Sequence, residues 1–362
     1  MTGHSRRFLA ALGMTFLKRS EEERCHFERS EKTQEQLNNI NIMEKQYVIG
    51  VDMGGTNSAF GIVNARGEIL HRGEIKTNIY KTAEEYVKAL GDGINTMIKN
   101  SGLEGHIKGI GMGVPDGNMY KGTIEHAANI PWANKSIIPL AKMVSESTGL
   151  FCCLTNDANA AAIGEMAYGS ARGMKDFIVI TLGTGVGSGI VCNGELVCGH
   201  DGFAGELGHV IIRRYNGRPC GCGRNGCLET YTSATGVART AREFLETRSD
   251  DSLLRVIDDR PITSKDVSEA AEKGDKIAKE IFEYTGKILG EAFADFITFS
   301  SPEAIILFGG LTKAGDLLMK PIEKSMKENL LTMYKDKTKL IFSELPDADA
   351  AILGASALVW EK

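Results

Sequence analysis

Glu206-Leu-Gly-His209, followed eleven residues later by Cys220-Gly-Cys222-Gly-Arg-Asn-Gly-Cys227-Leu-Glu229, is the stretch on which the reading turns. One histidine and three cysteines fall within nineteen residues, His209 to Cys227. His209, Cys220, Cys222 and Cys227 make a donor set suited to tetrahedral zinc. Gly221, Gly223 and Gly226 supply the turns that let three thiolates converge on one ion. Four protein ligands fill the coordination sphere, so such an ion is structural and not catalytic. The competing reading is three unpaired surface thiols. The other cysteines of the eight are scattered, which in a chain of 362 residues favours metal binding in a reducing compartment over a disulfide framework. The spacing is not that of a ββα zinc finger. Glu206 and Glu229 flank the loop. They read either as solvent-exposed acids or as acceptors for sugar hydroxyls, and His209 could offer its second ring nitrogen to the same ligand.

Upstream, two glycine loops share one local pattern. Tyr47-Val-Ile-Gly-Val-Asp52 runs into Met-Gly-Gly-Thr-Asn57 and then Ser-Ala-Phe-Gly-Ile-Val63, which predicts a hairpin with Gly54 and Gly55 at its tip. Adjacent glycines let backbone N–H groups approach an anion without a Cβ in the way. Thr56 adds a hydroxyl, Asn57 completes the candidate nucleotide loop, and Asp52 at the strand end can hold magnesium directly or through water. The second loop is Leu182-Gly-Thr-Gly-Val-Gly-Ser-Gly189, entered by the strand Phe177–Leu182 and left by Ile190-Val-Cys192 and the hairpin turn Asn193-Gly194. Its candidate phosphate contacts are Gly183, Thr184 and Gly185. No Lys-Ser/Thr pair and no helix follow, so it is not a Walker A loop, and the spacing is wrong for a dinucleotide fingerprint. Two such hairpins, roughly 130 residues apart, point to two duplicated lobes closing on one nucleotide.

Between the loops lies Leu154-Thr-Asn-Asp157-Ala-Asn-Ala-Ala-Ala162, an apolar stretch ending where an alanine-rich helix begins. Asn156 and Asp157 are favoured N-cap residues. An acid in that place, between two phosphate loops, is also positioned to take a proton from a hydroxyl nucleophile, which is most of what phosphoryl transfer asks of a protein. Both roles can belong to one turn.

Composition narrows the classes. Hydrophobic residues make up 42% and charged residues 25%, ordinary values for a globular chain. A net charge of −5 gives no general attraction to nucleic acid or to anionic membrane. No segment reaches the roughly 18 to 20 apolar residues that span a bilayer. Glycine stands out, 42 against 8 prolines, as phosphate-binding turns require. Residues 1–42 differ in character: dense in charge, with Phe16-Leu-Lys-Arg-Ser-Glu21 echoed by Phe27-Glu-Arg-Ser-Glu31. Ser5-Arg6-Arg7-Phe8-Leu9 faintly mimics a twin-arginine signal but lacks a small-residue cleavage site. The expectation is a disordered leader or an upstream start, with Met43 as the functional beginning of a cytoplasmic protein.

From Met43 onward these pieces together resemble the ROK family of sugar kinases, particularly bacterial glucokinases. The resemblance rests on Asp52-Met-Gly-Gly-Thr56, Asn156-Asp157, Leu182-Gly-Thr-Gly-Val-Gly187, Glu206-Leu-Gly-His209 and the Cys220–Glu229 segment, in that order. It implies an α/β, actin/hexokinase-like fold of two ribonuclease-H-like lobes with ATP in the cleft between them. The lobes would be 43–160, completed by a C-terminal helix over 346–362, and 161–345 with the zinc loop 209–227. It implies ATP with magnesium, a structural zinc, a hexose as substrate, no nucleic-acid or membrane partner, and a homodimer. Asp157 becomes the base that activates the sugar 6-hydroxyl. Asn129, in Ala127-Ala-Asn-Ile-Pro-Trp132, Asn156, Glu206, His209 and Glu229 become sugar contacts, and Gly309-Gly310 after Ile306-Leu-Phe308 the adenosine-side loop. Asp116-Gly117 after Gly113-Val-Pro115 departs from the family pattern, in which a glycine commonly follows that proline. Fructose, allose, N-acetylmannosamine and N-acetylglucosamine are the rival substrates. A repressor with a DNA-binding domain of roughly 60 to 80 residues is the remaining alternative; the 42-residue extension is too short for one.

Overall fold

In the computed structural model, residues 46–257, 259–346 and 349–360 are described. The leader expected over 1–42 lies outside them, as do parts of the segment 346–362. Along the chain, Tyr47–Met53 (β1), Asn57–Asn64 (β2) and Ile69–Lys76 (β3) precede the helix Ala83–Ser101 (α1) and the strand Ile107–Val114 (β4). Gly117–Asn118 (β5), Thr123–Glu125 (β6) and Ile137–Ile138 (β7) form a small separate sheet, and Leu140–Thr148 (α2), Cys152–Asn156 (β8) and Asp157–Tyr168 (α3) follow. Phe177–Leu182 (β9), Val186–Cys192 (β10) and Glu195–Leu196 (β11) open the second half. Its helices are Glu229–Thr232 (α4), Ala234–Thr247 (α5), Ser264–Glu272 (α6), Lys276–Ser300 (α7) and Asp316–Asn329 (α8). Ala304–Phe308 (β12) lies between the last two, and Lys339–Phe342 (β13) and Ala350–Trp360 (α9) end the described chain.

The two principal sheets repeat one plan. The first runs β3-β2-β1-β4-β8 and the second β11-β10-β9-β12-β13. In each, a three-stranded antiparallel meander is extended by two parallel strands. Both glycine loops therefore sit at equivalent places, the tips of β1–β2 and β9–β10, as the duplicated pattern predicts. The second loop is tighter than the sequence reading has it. Val186 to Gly189 belong to β10, paired with Leu182 to Val179, which leaves Gly183–Gly185 as the turn. Asn193 and Gly194 have φ of 54° and 80°, the left-handed pair that a two-residue hairpin needs.

The apolar runs bury in two main bodies. Ile49, Val51, Tyr86, Leu90, Ile110 and Met112 form the core of the first lobe; Ile178, Ile180, Phe282, Leu289, Phe293 and Ile305 are among those of the second. Helix α3 is shared. Ala160 packs toward Gly113 of β4 and Ala162 toward Gly189 of β10, so a boundary at 160/161 falls inside a helix that serves both sheets. Helix α9 lies so close over the first sheet that a Cβ on Gly50 would meet Ile352 O at 1.9 Å, and one on Gly111 would meet Ala355 O at 1.9 Å. Only glycine permits that approach.

Candidate active site

The site assembles at the ends of these strands. β8 ends at Asn156, whose side chain accepts from Asn159 N at 3.0 Å and caps α3. The cap occupies its oxygen and leaves the amide nitrogen to donate. Asp157 follows as the first helical residue, with Oδ1 accepting from Ala158 N at 2.8 Å. Its carboxylate opens to the cleft while protein surrounds it in most other directions. That burial, with the negative charge of Asp116 nearby, raises its pKa above the ordinary aspartate value. Asp52, at the end of β1, is pushed up to about 6, by burial first and by Asp157 second. Asp52, raised in part by the charge of Asp157, stands beside the first glycine turn, a place where a divalent cation relieves the repulsion.

The structure brings Glu206 within electrostatic reach of Asp157, His209 and Glu229, and sets Asn129 and Glu229 against the two glycine turns. Asn129 packs against the first glycine turn: a Cβ on Gly55 would be 3.2 Å from Asn129 O and 3.6 Å from its Nδ2. Glu229, at the start of α4, reaches the second turn, with Oε2 standing 2.9 Å from where a Cβ of Gly185 would be. Glu206 is raised in pKa by burial, against the lowering effect of His209, with Asp116, Asp157 and Glu229 adding to the rise. The turn Leu207–His209 that carries it is pinned by Ser188, whose hydroxyl bonds to Gly205 O and accepts from Leu207 N at 3.0 Å. The first lobe also grips the loop ahead of Glu206. Asn118 Nδ2 donates to Asp201 O at 2.8 Å and Tyr120 Oη to Gly199 O at 2.9 Å. No motif announces Ser188, Asn118 or Tyr120 as residues that position the pocket.

His209, Cys220, Cys222 and Cys227 converge, their ligand atoms all within 4.8 Å of one another. Cys222 and Cys227 sulfurs are 3.7 Å apart, and Cys220 Sγ is 3.7 Å from His209 Nδ1. Tetrahedral zinc with Zn–S of about 2.3 Å and Zn–N of about 2.0–2.1 Å sets these edges at about 3.8 and 3.6 Å. The donor set and its spacing therefore fit the ion. Glu229 Oε1 lies 2.9 Å from Cys220 Sγ and 3.6 Å from His209 Nδ1, which couples the cluster to the pocket. Arg224 donates to His209 O at 2.9 Å. Arg218 is buried and fastens the loop to α5, donating to Thr230 O at 2.9 Å and Thr240 Oγ1 at 3.0 Å, 4.5 Å over the Tyr231 ring.

On the far side of the second turn lies a cavity of about 640 Å³ lined by Gly183, Thr184, Ala234, Lys265, Glu269 and Gly310, among others. It joins the second glycine turn to the Gly309-Gly310 loop, and it is roomy enough for a nucleoside. The turn itself rests on α5, where Ala234 N donates to Gly183 O and Thr235 Oγ1 to Thr184 O, each at 2.8 Å. The α6 wall of this cavity, with Lys265 and Glu269, has no signature in the sequence, because a polar helix face looks the same whether it meets water or a ligand. Thr56 sits at the first turn, its carbonyl accepting from Thr77 N at 2.8 Å. The Asn57 side chain is taken by Lys76 Nζ at 2.9 Å. A cavity of similar size, about 610 Å³, lies on the first lobe between Lys81 and Glu146 and contains none of these residues.

Residues 48–362 match the model of the ROK family. The chain belongs to the ROK family. Among curated relatives, the glucokinase of Halalkalibacterium halodurans is 38% identical over 325 residues, 88% of this chain and 96% of the relative. The xylose repressor of Caldicellulosiruptor bescii is 28% identical, over 86% of this chain and 77% of the repressor. Among solved structures, a ROK family glucokinase from Streptomyces griseus in complex with glucose and AMPPNP superposes with a TM-score of 0.72 at 33% identity. That match covers 87% of this chain and all of the other. The actin/hexokinase-like fold expected from the resemblance is the fold of this ROK protein.

Proposed function

We propose that this protein is a glucokinase that transfers the γ-phosphoryl group of ATP to the 6-hydroxyl of glucose. The observation that carries this reading is Asp157 at the start of α3, within electrostatic reach of Glu206, in a site where Asn129 packs against the first glycine turn. The relatives named glucokinase, one of them solved with glucose and an ATP analogue, support it. Hexose binds through Asn129, Asn156, Glu206, His209 and Glu229, whose acceptors and amides match a ring of hydroxyls. The triphosphate lies along the Gly54-Gly55-Thr56 and Gly183-Thr184-Gly185 turns, with the nucleoside in the cavity that reaches Gly310. The two lobes, with α3 shared between their sheets, close and exclude water that would hydrolyse ATP.

Asp157 then orients the 6-hydroxyl and takes its proton as the oxygen bonds to phosphorus, while the β–γ bridging oxygen leaves with its electron pair on ADP. Its raised pKa makes it a better proton acceptor than an ordinary aspartate. Asp52 would hold magnesium, which neutralises charge on the transferring group. His209, Cys220, Cys222 and Cys227 would hold zinc, which fixes the loop presenting Glu206, His209 and Glu229. A cytoplasmic homodimer without nucleic-acid partners completes the reading, supported by the net charge of −5 and by the retained base.

A coupled ATP assay over glucose, fructose, allose, N-acetylmannosamine and N-acetylglucosamine tests it. The expected result is the highest kcat/KM for glucose. A higher value for another hexose moves the substrate, and no hexose-dependent ATP consumption refutes the kinase.

A further inference from the structure

Among the described residues, Asp116 is an acid of the pocket that the mechanism does not use. It forms the turn between β4 and β5, two residues past Val114, whose partner across the ladder is Asn156. The base and Asp116 thus leave adjacent strands side by side. The turn is held on both sides. Asp116 O accepts from Glu125 N at 3.1 Å, and Gly117 packs so tightly on β8 that a Cβ there would be 2.7 Å from Thr155 O. With its backbone fixed, the residue keeps an exposed face although the protein packed around it desolvates its carboxyl in part. Its φ is 50°, a left-handed conformation that disfavours side chains other than those of asparagine and aspartate.

A turn alone accounts for the residue type only in part. Glycine or asparagine would satisfy this backbone without adding a negative charge to a pocket that already holds Asp157, Glu206 and Glu229. The cost is visible at its neighbours, since the Asp116 charge helps raise both Asp157 and Glu206. Its own carboxyl is raised by burial, with His209 and His126 pulling the other way. It therefore lies within electrostatic reach of groups on both lobes. No hydrogen bond or ion pair to its carboxylate occurs among the described residues. A charged acceptor held rigidly beside the base, at a cost in repulsion and without a protein partner, is placed for a ligand.

We propose that the Asp116 carboxylate is a further specificity-determining contact, accepting a hydrogen bond from a ring hydroxyl of the hexose in the pocket it shares with Asp157, Glu206 and His209. The contact rests on the sugar-kinase reading of the site. It selects neutral polyols that carry a hydroxyl at that ring position, and it works against anionic sugars, which would face four carboxylates.

The experiment compares wild type, Asp116→Gly and Asp116→Asn in the coupled assay, with glucose and its 1-, 2-, 3- and 4-deoxy analogues. Glycine is favoured at this φ, so Asp116→Gly keeps the turn and its melting temperature is expected at or above that of wild type. Its KM for glucose is expected to rise roughly tenfold or more, the size of a lost hydrogen bond to a charged group, with kcat and the KM for ATP changed by less than about threefold. One deoxy analogue is expected to lose the same factor on wild type and to have equal KM on wild type and Asp116→Gly, because the two changes remove one interaction. Asp116→Asn, which keeps an acceptor oxygen, should fall between them. A glucose KM within about twofold of wild type in both variants, or four analogues that respond identically in wild type and variant, overturns the contact and leaves the kinase intact. A wild-type protein that phosphorylates no hexose overturns the site reading and this contact with it.

Discussion

Replacing Asp157 with asparagine separates chemistry from folding. The change keeps the size of the side chain, and an amide oxygen can still accept from Ala158 N, the bond that Asp157 makes at 2.8 Å. What is lost is the ability to take a proton. General-base catalysis contributes roughly 10²–10⁴-fold, about 3–5 kcal/mol of the barrier, so kcat should fall by that factor. Glucose affinity, read by calorimetry, should hardly change because the amide oxygen still accepts from the hydroxyl. Stability should move the other way. Burial and the neighbouring Asp116 raise the Asp157 carboxyl in the folded protein. A carboxyl raised in this way contributes stability when protonated and loses it as pH rises through its folded pKa. The neutral variant should therefore melt above wild type at pH 8, and the gap should close as the pH falls toward the ordinary aspartate range. Coupled ADP release gives the first quantity and melting at pH 5 and pH 8 the last. More than about one tenth of the wild-type kcat would refute the base assignment, and a variant that melts lower at pH 8 would refute the electrostatic account.

Two further outcomes follow from other parts of the molecule. Metal analysis of purified protein should find one zinc per chain; Cys227→Ser, at a buried position, should lose it, with a lower melting temperature and a glucose KM at least about tenfold higher, since zinc binding and loop folding are one equilibrium. Retention of full glucose affinity in a zinc-free protein would take the ion out of the sugar site. Gly111→Ala should destabilise the protein by about 3 kcal/mol or more, because the new methyl meets backbone and not a movable side chain. Chemical denaturation measures this, and a change below about 1 kcal/mol would mean that α9 shifts freely over the sheet.

What could be read from residues alone were features whose cause is local. The Asn193-Gly194 turn, the Asn156 cap and the paired glycine turns each follow from a few neighbouring side chains, and all stand where the pattern puts them. The convergence of His209 with Cys220, Cys222 and Cys227 was legible because three thiols in eight residues have few uses other than metal binding. Long-range placement was not. Arg218 reads as a surface cation, yet it is buried 25 residues from its ion-pair partner Glu243. The extent of the second turn also escaped, because Val186-Gly-Ser-Gly189 is glycine-rich yet strand-forming once β9 lies beside it. Helix α3 defeats any single cut between lobes, since its alanines allow both sheets to approach.

The close seat of α9 on β1 and β4 has a consequence for biosynthesis. Strands made first in the lobe must wait for residues 350–360 before Val48, Val63 and their neighbours can be covered, since these pack with Ile352, Leu353 and Val359. Domains usually fold as units while the chain emerges, but here the lobe built on β1 and β4 stays unfinished until α9 has left the ribosome. The second lobe, whose core draws on a continuous stretch of chain, is free to form earlier. Nascent chains halted before α9 would expose an uncovered sheet, a natural client for chaperones.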